Sequence, residues 1–342
     1  MPDFMNVATL TKQVNNNLPP HRFLSSFFQT ETLKTVNAEL DTVEGTHLLA
    51  PFKREGAKRT ITKRAGYNKR PFHCYEIALE RPTDAFDVLK AQPGEPAVLV
   101  DPMDPNDRQA FILGNDTTDL SNRINRTIEM ICSKALFEAG YDILDEDGKV
   151  IDSISFDVKT SHKITKAGDY LWTGSGADVI GDLSDLDTVV NEDSGLAVAD
   201  KIFGSAAWKA ARANDKFMKD FDRIHVTGNS MDLGGGVNSN GAKLVGYHNG
   251  SRIWIYNDSY TVNKNKAFFV PKDKVLAIGE GLAAKLYFGC VGNVKDGWFR
   301  AERFAKTIYD EDDEVQKLIM KSRPLAVLQQ PNGIAWAKVV NL

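Results

Sequence analysis

Residues 52–82 read FKREGAKRTITKRAGYNKRPFHCYEIALERP. Between positions 53 and 70 this stretch holds eight basic residues: Lys53, Arg54, Lys58, Arg59, Lys63, Arg64, Lys69 and Arg70, with Glu55 the one acid among them. It also carries β-formers (Ile61, Thr62, Tyr67, Phe72, Tyr75, Ile77) and turn formers (Gly56, Gly66, Asn68, Pro71). That mixture predicts a long twisted hairpin projecting from a domain. Its middle has too few apolar residues to pack a core of its own. Dense like charge repels itself, so such a tongue becomes ordered against an acidic partner. Two partners satisfy this: nucleic acid, or the acidic surface of another copy of the chain.

The rest of the chain bears on that choice. Lys plus Arg total 42 and Asp plus Glu total 46, a formal net charge of −4. A protein that coats nucleic acid is usually basic overall. Here the basic charge is local, and acidic runs stand apart from it at 142–147 (DILDED), 182–187 (DLSDLD) and 310–314 (DEDDE). Charge separated along one chain favours packing between copies. A solvated face is the plain alternative for each run.

At 342 residues the chain exceeds one compact core, so two lobes are expected. The composition, 42% hydrophobic and 26% charged, is that of a soluble globular protein. No apolar run approaches the ~20 residues needed to span a bilayer. The first residues, MPDFMNVATLTKQVNNNLPP, lack a basic region followed by an apolar core, so no signal peptide is expected. Cys74, Cys132 and Cys290 are odd in number and far apart, the pattern of buried thiols in a reducing compartment.

The first 45 residues read as an arm. Asn15 to Pro20 (NNNLPP) predicts irregular chain, and Phe23, Phe27 and Phe28 form an apolar patch that must dock on its own domain or on a neighbour's. Thr30 to Val43 alternates as extended chain. Residues 93–117, rich in proline and aspartate, predict a loop. An amphipathic helix follows over 119–139, with Asp119 or Ser121 as N-cap, Gly140 as the residue after its end, and Ile124, Ile128, Ile131, Ala135 and Ala139 on the inner face. Val150 to Thr160 alternates as a strand, Thr165 to Gly181 reads as a loop, and Leu183 to Val190 begins a helix capped by Asp182 or Ser184. From Phe203 the texture becomes that of a second α+β lobe. A helical stretch to Phe221, with Trp208, Phe217, Met218 and Phe221 inward, leads into short strands and a flexible glycine loop at 232–241. Phe268 to Ile278 is a further strand, and the last 40 residues return to strand patterning.

The familiar catalytic signatures are missing. GSGADV at 174–179 starts like a dinucleotide loop, but Val179 stands where a third glycine belongs. There is no GxxxxGK[ST], HExxH, GxSxG or CxxC. His73 and Cys74 are adjacent, and strand alternation sends them to opposite faces, away from a shared metal. No catalytic residue, cofactor or metal site is assigned.

The order of pieces resembles a family. Phe23 to Thr30 (FLSSFFQT), the basic tongue, the stretch from Phe268 (FFVPKDKVLAIGEG, then LYFGC) and the end from Ser322 (SRPLAVLQQPNGIAWAKVV) are similar, in this order, to the lambda-type major capsid proteins of tailed bacteriophages, the major capsid protein E family. The resemblance implies the Hong Kong 97-type α+β capsid fold: an N-terminal arm at 1–45, an extended loop (E-loop, the tongue) at 46–92, a peripheral P-domain at 93–194 with the helix 119–139, an axial A-domain at 195–300, and return strands at 301–342. It further implies a non-enzymatic subunit that forms hexamers and pentamers around packaged double-stranded DNA, contacted nonspecifically, in a virion assembled in the bacterial cytoplasm. A decoration protein, a scaffold and a portal are the implied partners, with no membrane. The basic tongue residues would make inter-subunit contacts, and Phe23, Phe27 and Phe28 would dock the arm. An encapsulin-like compartment and a DNA-binding module that grips with its tongue are the competing functions.

Overall fold

The structure, a computed structural model, describes residues 7–17, 22–43, 67–89, 104–145, 147–219, 241–262, 264–310 and 315–342. In chain order its elements are α1 (Val7–Asn16), β1 (Gln29–Thr32), β2 (Asn37–Val43), β3 (Tyr67–His73), β4 (Ile77–Thr83), α2 (Ala85–Leu89), α3 (Pro105–Glu138), β5 (Gly140–Leu144), β6 (Val150–Ser155) and β7 (Lys163–Thr165). They continue with α4 (Val179–Ser194), β8 (Val198–Phe203), α5 (Ser205–Arg212), β9 (Lys243–His248), β10 (Ser251–Ile255), β11 (Ser259–Val262), β12 (Asn265–Phe268) and β13 (Lys274–Gly279). The last are β14 (Ala284–Phe288), β15 (Val291–Asn293), β16 (Gly297–Phe299), β17 (Phe304–Asp310), β18 (Val315–Ser322), β19 (Pro324–Leu328) and β20 (Ile334–Lys338). The chain divides into two compact units. Unit 1 comprises residues 1–38, 73–132 and 286–326; unit 2 comprises 39–72, 133–285 and 327–342.

In unit 1 an antiparallel sheet runs β17–β18–β4, with Met320 opposite Leu79 and Ala305 opposite Met320. Ile77–Thr83, which the sequence places in the tongue, is therefore a partner of the C-terminal return strand. The inner face of α3 is set by residues four apart: Leu120, Ile124, Ile128 and Cys132 are all at most 4% exposed. Their spacing stacks them on one stripe of the helix. Ile131, expected inward, is only half-buried; Cys132 takes that place.

Helix α3 begins at Pro105, not at 119. Proline suits a first helical position because its missing N–H would have no intrahelical partner there. The stretch Gly114 to Thr118 reads as a breaker, yet Thr117 and Thr118 turn their hydroxyls back onto the carbonyls of Leu113 and Gly114. Arg81 then braces this part of the helix, donating to Asp116 at 2.8 Å and Asp119 at 2.5 Å. Weak local propensity is overridden by these tertiary bonds. At the other end Ala139, not Gly140, takes the left-handed conformation, at φ 58°. Gly140 serves close approach instead: a Cβ there would lie 2.4 Å from the Ile154 carbonyl oxygen.

Unit 2 is built on a mixed six-stranded sheet in the order β7–β20–β13–β8–β10–β9. β8 lies parallel to β10 and antiparallel to β13, which pairs in turn with β20. Helices α4 and α5 cover it with Leu183, Leu186, Val190, Ala207 and Ala211, which meet Phe203, Ile253, Val275 and Ala335 in one buried cluster. α4 starts four residues earlier than expected, because Asp178 caps it by accepting from the Gly181 N–H at 3.1 Å. The helical stretch expected from Phe203 to Phe221 is instead the end of β8, then α5, then a helical turn at 215–219. Trp208, Phe217 and Met218 do pack inward, while Phe221 lies outside the described residues. The strand expected over 268–278 is two strands, β12 and β13, separated around Pro271. Helix α1 runs through Asn16, into the stretch read as irregular.

Ile128→Ala is expected to remove about 2–5 kcal/mol of unfolding free energy, the cost of emptying a packed site. Arg126, on the exposed face, should change stability by no more than about 0.5 kcal/mol when replaced by alanine. Chemical denaturation of the two variants checks the phase of α3, and equal losses would contradict it.

Candidate assembly surface

The arm docks on its own unit. Phe23, Leu24 and Phe28 are at most 5% exposed, and Phe27, half-buried, sets its ring edge-on to Phe23 with centroids 5.3 Å apart. A 3-10 turn at Ser25–Phe27 holds this patch. The start of that turn points its backbone N–H groups at one side chain of α3: Glu129, fully buried, accepts from Leu24 N at 2.7 Å and Ser25 N at 2.9 Å. A carboxylate held by backbone donors does for this turn what a cap does for a helix. Upstream, α1 lies on the start of β17. Thr11 Oγ1 donates to the Ala305 carbonyl, and the Asn15 side chain exchanges two hydrogen bonds with the backbone of Arg303.

Arg303 itself is 1% exposed. It donates from Nη2 to Asn125 Oδ1 on α3, and among the described residues its Nε and Nη1 have no hydrogen-bond partner. Burial pushes its guanidinium down to about 10. A buried cation this poorly satisfied costs stability. Sequence reasoning missed both Glu129 and Arg303, because each lies in a charged stretch that reads as a solvated helix or strand face.

The tongue is tethered at its root. β2 and β3 form a two-stranded sheet, so the two paired flanks begin at Asn37 and end at His73. Just beyond, the Cys74 N–H donates to the Val36 carbonyl at 2.9 Å and His73 Nδ1 contacts Asn37 Oδ1 at 2.8 Å. Cys74 is buried and His73 exposed; burial raises the Cys74 thiol to about 11. Such a thiol is inert. Lys53, Arg54, Lys58, Arg59, Lys63 and Arg64 lie outside the described residues. Lys69 and Arg70 are on β3, with side chains outside the description.

The other candidate stretches resolve differently. The Gly174–Val179 loop folds onto itself: Gly176 N donates to the Asp169 carbonyl, and Asp178 occupies the start of α4. The place where a phosphate would sit is taken by the chain's own carboxylate. Of the acidic runs, Asp182 is buried, pairs with Lys166 and accepts from Trp172 Nε1, and Asp187 pairs with the fully buried Lys201. Asp310 pairs with Lys317. Asp142, Asp145 and Asp147 are exposed, on and beside the β5–β6 hairpin. Among the described residues no group of three or more His, Cys, Asp or Glu is placed to hold a metal, and no helix is long and apolar enough to cross a membrane.

Residues 6–339 match the family described as phage major capsid protein E. The chain belongs to that family. Its fold is the Hong Kong 97-type capsid fold, and this capsid protein is a shell subunit of a tailed phage. A protein of an Escherichia coli CFT073 prophage, assigned as its capsid protein, superposes with a TM-score of 0.72 at 16% identity, over 98% of this chain and 99% of that one. The mature capsid of bacteriophage PhiM1 gives 0.55 at 12% identity, over 95% and 89%. An encapsulin from Synechococcus elongatus gives 0.50 at 11% identity, over 95% and 89%. At such identities the likeness is one of fold alone. No curated protein matches the chain.

Glu129→Ala should strand the Leu24 and Ser25 N–H groups in an apolar site, costing about 1–3 kcal/mol for each. Hydrogen exchange of those two amides in this capsid protein is expected to quicken well beyond that of the β17–β18 ladder. Unchanged exchange would show that the carboxylate does not hold the arm.

Proposed function

We propose that this capsid protein builds hexamers and pentamers of an icosahedral shell that encloses double-stranded DNA, using its arm and its basic tongue as connectors. The match to a capsid family over nearly the whole chain carries this reading. In it, residues 1–45 are the N-terminal arm, 46–92 the E-loop, 93–194 the P-domain that holds α3, 195–300 the A-domain, and 301–342 the return strands. Phe23, Phe27 and Phe28 seat the arm. Lys53, Arg54, Lys58, Arg59, Lys63, Arg64, Lys69 and Arg70 meet acidic side chains of a neighbouring subunit. The role is structural, with no reaction catalysed. The packaged DNA is contacted without sequence preference, and a decoration protein, a scaffold and a portal complete the particle, which forms in the host cytoplasm.

Physical considerations support the tongue's part. The chain is net acidic outside one basic segment, and shell contacts of this class bury on the order of 2,000 Å² or more. An extended segment reaching over a neighbour supplies such area without a core of its own.

Electron microscopy and sedimentation of the purified protein are expected to show closed particles of megadalton size. Arg59→Glu with Arg64→Glu should abolish them, with DNA binding by the unassembled subunit weak before and after. If the tongue instead grips DNA, each lost phosphate contact lowers the salt slope of binding by about one unit. Intact particles together with a flattened slope would replace the shell-contact role with a DNA clamp.

A further inference from the structure

The β5–β6 hairpin of unit 2 stands out as a surface that the described residues leave largely uncovered. Its base is packed: Tyr141 and Ile154 face each other across the strands, 5% and 2% exposed, and Phe156 follows at 7%. Its outer half is bare. Leu144 and Val150 are direct cross-strand partners, 46% and 51% exposed, and Ile151 beside them is 55% exposed. A bulge between Ile143 and Leu144 sets the register there. Directly opposed apolar side chains left in water on a hairpin are an unspent contact.

Acidic groups surround this patch. Asp142 bonds the Ser153 hydroxyl at 2.5 Å, and Asp145 accepts from the Lys149 N–H at 2.7 Å. Neither these two nor Asp147 forms an ion pair with any basic group among the described residues. In the 182–187 run Asp182 and Asp187 are taken up by Lys166 and Lys201. In the 310–314 run the one described carboxylate, Asp310, pairs with Lys317.

The opposite charge exists in the same chain. Residues 53–70 hold eight basic side chains against one acid, interleaved with Ile61, Thr62 and Tyr67. We propose that the β5–β6 hairpin is the docking surface for the basic segment 53–70 of a second copy of this chain, with Leu144, Val150 and Ile151 taking the segment's apolar side chains and Asp142, Asp145 and Asp147 its lysines and arginines. This rests on the self-assembly reading above and names the surface that receives the tongue. Complementary charge around an apolar centre fixes register and partner choice, and like charges brought together are penalised.

The test is a charge swap in the full chain. Asp142→Lys with Asp147→Lys leaves the Asp145 turn intact. It is expected to lower particle yield on the order of tenfold by placing like charges together. The thermal midpoint of the unassembled subunit should stay with the wild type, because the contact is between copies. Combining it with Arg59→Glu and Arg64→Glu should raise the yield above that of either pair alone, and Leu144→Ser with Val150→Ser should reduce yield without any change of charge. Wild-type yield from the Asp142→Lys, Asp147→Lys variant, alongside failure of the Arg59→Glu, Arg64→Glu variant, overturns this docking site and leaves the shell function standing. So does a folded chain carrying all four substitutions whose yield stays at or below that of either pair. Absence of particles from the unmutated chain overturns the shell function itself.

Discussion

The arm of this capsid protein is held by one buried carboxylate. Glu129 sits on the packed stripe of α3 and receives two backbone N–H groups from the turn that carries Phe23, Leu24 and Phe28. A carboxylate in such a place is tolerable only while both donors stay in place, and the donors have no other described acceptor. Arm and helix therefore fold as one object. The four-residue stacking of Leu120, Ile124, Ile128 and Cys132 supplies the apolar support beneath it, and the Thr11 and Asn15 bonds to the β17 entry extend the same attachment along α1.

A charged group inside a protein has to be satisfied or discounted, and this chain does both. Asp200 is satisfied: it accepts from Arg252 and from Trp254 Nε1 within the unit 2 sheet. Lys201, the next residue on the same strand, points to the other face and pairs with Asp187 on α4; burial lowers its pKa while that carboxylate pulls it back up. Arg303 is the discounted case, with Asn125 as its one side-chain hydrogen-bond partner among the described residues and a guanidinium depressed by burial. These pairings decide which of the chain's many charges remain outside for a partner.

In the proposed assembly that remainder is what a neighbouring copy meets. A subunit that neutralised all of its carboxylates internally would leave its basic segment nothing of its own kind to meet. The sheet of unit 2 takes the 182–187 run inward because α4 must lie on it with Leu183 and Leu186 buried, which drags the neighbouring aspartates toward Lys166 and Lys201. Among the described residues no helix lies over the outer half of the β5–β6 hairpin, and Asp142, Asp145 and Asp147 are exposed there.

Periodicity and charge made part of this legible from the residues alone. The stripe of α3 over 120–138, the α+β texture, the basic tongue with β-forming flanks and the apolar arm patch all arise from local patterns of period 3.6 or 2, or from composition. The collinear motifs from Phe268 and Ser322 made the family resemblance readable as well. Only tertiary contacts decided the rest. Pro105 to Thr118 is helix, tied to the rest of unit 1 through Arg108, Gln109 and Asp116. Ile77 to Thr83 pairs with β18, a partner that no local pattern announces. Ala139 carries the positive φ because Gly140 is needed against Ile154. Glu129 and Arg303 gave no local sign of burial, since a side chain's partner 104 to 178 positions away leaves no periodic trace. For the same reason the acidic runs look alike in the sequence, and it is the fold that pairs Asp182 and Asp187 with lysines and leaves Asp142, Asp145 and Asp147 exposed.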